Sequence, residues 1–159
     1  MSDDELFQLL NAPAADSGLP PAPVTRQSTQ PEDAASAIAL GLSLFRADPR
    51  AALAQFVSAL DMPGSGPRRT KGKPAELSTG ELQAALFNAA CCHAQLGEAS
   101  EGVAALQAAV DAGFDDWAAL RQDADLAPLR KAPEWQQFAA SLPASKPPPP
   151  SFLGGLFGR

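Results

Sequence analysis

The chain has 159 residues, a formal net charge of −6 and only two cysteines, adjacent at Cys91 and Cys92. That length suits one domain with a modest core, and the acidic balance excludes general nucleic-acid binding, which needs a basic face to displace counterions. No apolar run approaches the ~20 residues that span a bilayer, and neighbouring cysteines cannot frame a disulfide scaffold, which points to a reducing compartment.

Residues 3–10, Asp-Asp-Glu-Leu-Phe-Gln-Leu-Leu, have the pattern of a short amphipathic helix, with acidic residues at its start to suit the helix dipole. The N-terminal end is acidic and carries neither a basic region nor an apolar run, so it reads as neither a secretory signal nor a transit peptide. Residues 11–31 are rich in Pro, Ala, Ser and Thr and read as a linker, which makes 1–31 a flexible arm.

The folded part is expected at 32–142, where alanine and leucine dominate and β-branched residues are scarce, a helical composition. A first helix is expected from near Pro31 or Glu32 to Arg46. Asp48-Pro49 then starts a second, over 49–61, because Asp caps free N–H groups and Pro tolerates the first helical position. Residues 62–77 form a long basic loop with Arg68, Arg69, Lys71 and Lys73. Such a loop inside a compact domain is either functional or disordered. Two readings are open: a solvated flexible loop, or an electrostatic contact with anionic lipid or an acidic partner face.

Ser78-Thr-Gly-Glu81 fits a capping box and opens a helix over 79–96 that stops at Gly97. Its partner runs over about 99–112 and stops at Gly113. In 114–142, Asp115-Asp116 caps one short helix and Pro133-Glu134 opens another. Trp117 and Trp135 both fall here, either sealing the end of the helical stack or standing out as binding anchors. Beyond 142, four prolines at 147–150 make a semi-rigid spacer in front of Phe152, Leu153, Leu156 and Phe157. That cluster is read as a tail anchor, inserting shallowly in a membrane interface or docking in a partner's groove. The chain is thus divided into an arm (1–31), a helical domain (32–142) and a spacer with a hydrophobic tail (143–159).

Two helix pairs in this pattern resemble tetratricopeptide repeats. Ala52, Phe56 and Ala59 match the small–aromatic–small pattern of the second repeat helix, and Gly102, Leu106 and Ala109 occupy the same places after the Leu96-Gly97 turn. Ala52 and Gly102 lie 50 residues apart, against a repeat of about 34, so the basic loop reads as an insertion. The resemblance implies an all-α fold: two repeat-like helical hairpins plus C-terminal capping helices. The stretch from Phe114 to Arg130, followed by Pro133-Glu-Trp-Gln-Gln-Phe138, resembles more narrowly the repeat region of chloroplast proteins that assist photosystem II assembly and repair.

By register, the resemblance implies a partner-binding groove lined by Ala34, Ala37, Ile38, Gly41 and Phe45, then Ala84, Phe87, Asn88, Cys91 and Gln95. Asn88 either bonds a bound peptide backbone, as the resemblance implies, or caps or bridges helices. The lysine clamp of chaperone-binding repeats would fall on Ala37 and Gly41, so it is not expected. The implied role is a protein-binding adaptor with a peripheral membrane contact and photosystem II subunits as partners. Its place would be the chloroplast stroma or the stromal face of the thylakoid if a transit peptide has been removed, and the cytoplasm otherwise. A stoichiometric subunit of a stable complex is the alternative.

Chemistry is not expected. The chain has no glycine-rich phosphate loop, no nucleophile–base pair, no tyrosine and a single histidine, so no enzyme, cofactor or small-molecule substrate is implied. Cys91-Cys92-His93 cannot supply four zinc ligands, since successive helical residues diverge by about 100°. A redox-sensing thiol remains as a third reading.

Overall fold

The computed structural model describes residues 30–143. Among them the fold is all-α. Helix α1 (Ala34–Leu44) and α2 (Pro49–Ala59) form one antiparallel hairpin, and α3 (Thr79–Leu96) and α4 (Ala99–Asp111) form a second. Short pieces follow: α5 (Trp117–Gln122), a 3-10 turn (Ala124–Leu126), α6 (Ala127–Arg130) and α7 (Pro133–Ser141). Each of α1 to α3 packs on the next, α3 also touches α1, and α4 packs on α6 and α7, so the hairpins stand side by side.

The helix ends are set by side chains. Asp33 accepts the Ser36 N–H at 2.7 Å, so α1 begins after Asp33 rather than at Pro31 or Glu32. Asp48 accepts the Ala51 N–H ahead of Pro49, Asp116 caps α5, and Ser78 and Glu81 close a reciprocal box at the start of α3. Gly97 and Gly113 end α3 and α4 with φ of 74° and 92°, where a Cβ would be strained.

Small residues let the helices approach closely. Ala34, Ala37, Ala52, Ala59 and Ala85 are fully buried in the first hairpin's core, around Phe56. A Cβ on Gly41 would lie 2.7 Å from Cε1 of Phe56, so α1 and α2 meet through a glycine set against an aromatic ring. Gly102 repeats the device against Leu129, with a Cβ 2.7 Å from its Cδ2. The second core gathers Leu106, Leu120, Leu126, Leu129, Trp135, Phe138 and Leu142. Trp135 is buried edge-on against Phe138, and Trp117 is half-buried against the same core. Both tryptophans therefore seal the end of the stack.

Helix α3 divides the two cores. Cys92 faces the first and Cys91 the second, as the ~100° step between successive helical residues requires.

Candidate partner-binding surface

The residues expected to line the groove differ in depth. Ile38 is 9% exposed and Cys91 3% exposed, so each belongs to a core. The expectation that they line an open groove is corrected. Phe45 and Phe87 are half-buried, Asn88 is half-buried and Gln95 is exposed.

Ile38 is covered by α2 and α3 in the first core, whereas Cys91 is covered by residues 114–126, which run across α3 as a strap. Phe114 stacks on Phe87 with ring centroids 5.0 Å apart and planes 20° apart. Gln95 Nε2 donates to the Asp125 carbonyl at 3.1 Å, and the 3-10 turn packs on α3. Asp125 then takes both guanidinium nitrogens of Arg46, at 2.8 and 3.2 Å, which ties the strap to the end of α1. The Arg46 guanidinium also sits 5.1 Å from the Phe45 ring centre. Asn88 Nδ2 donates to the Ala84 carbonyl at 2.8 Å, and its side-chain oxygen has no partner among the described residues.

The basic loop is closed rather than open. Gly64 N–H donates to the Ala75 carbonyl, Gly66 N–H to Glu76 and Glu76 N–H to Pro67, so the two limbs pair across 62–77. Pro63, Pro67 and Pro74 lack an N–H, which keeps this pairing from becoming a regular ladder. Glu81 holds the loop to α3: its carboxylate accepts the Ser65 N–H at 2.9 Å and the Ser78 N–H at 2.7 Å. Alanine at Gly66 would put a Cβ 2.4 Å from the Leu77 carbonyl oxygen, too close for backbone to yield. Arg68, Arg69, Lys71 and Lys73 are all exposed, and Arg69 alone of the four forms an ion pair among the described residues, with Glu76 at 3.1 Å. The loop is solvated but its limbs are paired, and the other three cations, with no ion pair among the described residues, project from a closed turn.

The Ser65 and Ser78 bonds hold the Glu81 carboxyl below the usual carboxylate range. A carboxyl lowered on folding adds stability above its unfolded value, about 4.3, and loses it as pH falls through the folded one. Glu81→Gln keeps the shape of the capping box. At pH 7 it is expected to lower the unfolding midpoint by a few degrees, about 1 kcal/mol. The gap to wild type should shrink at pH 3, as read by circular dichroism. An equal gap at both pH values would mean that the Glu81 charge adds nothing.

Burial pushes the Cys91 thiol far up, with the Asp123 and Asp125 carboxylates adding to the effect, and pushes Cys92 up to about 11. Neither is poised as a thiolate. Alkylation of both thiols at pH 7.5 should run at least about a hundredfold slower in the folded chain than in the unfolded one. Rapid labelling of the folded protein would restore the redox-sensor reading.

Sequence reasoning missed a clasp between the hairpins. Glu98 accepts from Arg50 at 2.8 Å and lies 2.7 Å from Nδ1 of His93, joining α2, α3 and the start of α4. The Arg50 bond, followed by the His93 bond, holds the Glu98 carboxyl below its ordinary range. Arg50 and Glu98 are too far apart in sequence for any local pattern to reveal the pair. The predicted anchor residues Phe152, Leu153, Leu156 and Phe157 lie outside the described residues, and among the described residues no helix is long and apolar enough to cross a membrane.

No protein-family model matches the chain, and no solved structure matches it. Among curated proteins it is similar to one of Arabidopsis thaliana whose name describes it as chloroplastic, with 36% identity over 55 residues. The match covers 35% of this chain and 16% of that protein.

Proposed function

We propose that the chain is a non-enzymatic adaptor of the tetratricopeptide kind that serves assembly or maintenance of a photosynthetic membrane complex in the chloroplast, with photosystem II subunits as its partners. The observation that carries the reading is the face of α3, which already holds a stretch of polypeptide. It grips residues 114–126 by an aromatic stack at Phe87 and by a hydrogen bond from the Gln95 side-chain amide to a backbone carbonyl, two means by which a groove holds a peptide. Phe45 and the side-chain oxygen of Asn88 offer the same kinds of contact to a partner segment. The basic turn at 62–77 adds a contact for an anionic membrane surface. The similarity to a chloroplastic protein supports the compartment, and the resemblance of 114–138 to photosystem II assembly factors supports the complex.

Affinity purification of the tagged full chain from its own cells, with and without residues 151–159, tests the reading. Photosystem II subunits are expected at well below one copy of the bait per complex, with less membrane material in the shortened form. Recovery of a different complex at equal stoichiometry would replace the adaptor with a structural subunit.

A further inference from the structure

A second surface lies away from the strap. The i, i+3, i+4, i+7 face of α4 from Ser100 to Gln107 and the matching face of α7 from Glu134 to Ser141 enclose an open cleft of about 390 Å³. Val103, Ala104 and Phe138 give it apolar surface. One end is closed by Ser100, whose hydroxyl donates to Glu134 at 3.2 Å. At the other end the chain leaves the described domain: Leu142 is buried and the Pro143 carbonyl accepts from Arg121 at 3.0 Å, which fixes the exit beside Ser141. The volume falls in the range of about 300–1,000 Å³ typical of ligand sites, enough for large side chains and wasteful if left to water.

We propose that this cleft is the docking site of the chain's own segment Phe152–Phe157. Residues 144–151 separate Pro143 from that segment and reach roughly 25 Å at about 3.1 Å per residue of polyproline helix. The cleft runs from Glu134 to Ser141, about 10 Å at 1.5 Å per helical residue. The connection is therefore long enough to lay the segment anywhere along it. A tether that can reach the cleft raises the local concentration of the segment, which favours it over a free competitor or a second copy. The sequence supplies the matching chemistry, four large apolar side chains in six residues. Docked there, they are withheld from membranes and partners until something competes for them. The inference stands apart from the photosystem reading, because the cleft and the segment belong to this chain alone.

Amide hydrogen exchange on the full chain, on the chain ending at residue 150, and on the full chain carrying Ala104→Arg decides the matter. Ala104 is exposed on α4, so the substitution blocks the cleft without entering a core. Exchange in α7 is expected to be at least about tenfold faster in both variants, with α1 and α2 unchanged. Equal exchange in all three proteins would overturn the proposal. So would faster exchange in the shortened chain alone, which would place the segment elsewhere. Protection that disappears on dilution of the full chain would assign the cleft to a second copy, and the proposal would fail.

Discussion

Replacing Phe56 with alanine is expected to cost about 3–5 kcal/mol of stability, a fall of 10 °C or more in the unfolding midpoint. Phe56 is fully buried, and its ring fills the space that α1 leaves open at Gly41. Truncation removes the apolar burial and leaves a cavity opposite Gly41, with small residues such as Ala37, Ala52 and Ala59 around it that cannot collapse into it. Gly41→Ala should destabilise by the opposite route, about 1–3 kcal/mol of overpacking against the ring. Combining the two should cost less than their sum, since the new methyl enters space the ring has vacated. Val57, the next residue along α2, is 49% exposed, and Val57→Ala should stay within about 0.5 kcal/mol. Thermal and urea unfolding of the four variants would check the set. A loss below about 1 kcal/mol for Phe56→Ala would mean that the first hairpin does not rest on this ring.

The helices of both hairpins were legible because their signals are local. The expectation of 49–61 meets a helix at Pro49–Ala59, and 79–96 is met by Thr79–Leu96, with the Ser78–Glu81 box and the left-handed Gly97 where their residue types placed them. Burial of Phe56 and Leu106 between small residues follows from the same spacing. What stayed hidden depends on pairs distant in sequence. Arg46 and Asp125 are 79 positions apart, and Gln95 and Asp125 are 30 apart. Nothing in the stretch 114–126 announces that it lies over the face of α3. The register that made Ile38 and Cys91 groove residues was sound as helix geometry; it failed because a strap and a neighbouring hairpin cover those positions. At 62–77 composition left two readings open and gave no sign that the limbs pair. There Gly64 and Gly66 allow limbs to approach that a Cβ would hold apart, and Glu81 does two jobs at once, completing the helix cap and gripping Ser65.

The second large effect is expected at that basic turn. The triple variant Arg68→Glu, Lys71→Glu, Lys73→Glu should bind vesicles containing anionic lipid about a hundredfold more weakly than wild type at low salt. Each basic residue near such a surface contributes about 1 kcal/mol, and three together give that factor. A protein of net charge −6 can still be drawn to an anionic surface this way. At physiological ionic strength charges more than about 8 Å from the contact are screened, so the membrane feels the turn and not the rest of the molecule. Arg69 is left unchanged because Glu76 already neutralises it. All three replaced side chains are exposed, so the unfolding midpoint should hardly move. Gly66→Ala supplies the complementary case: the charges remain but the closed turn cannot form. If a fixed arrangement of cations matters, both variants lose binding; if charge alone matters, only the triple variant does. Flotation of each protein with anionic and neutral vesicles, at low and high salt, separates these results. Unchanged binding by the triple variant would move the membrane contact off this turn and leave the segment at 152–157 to make it.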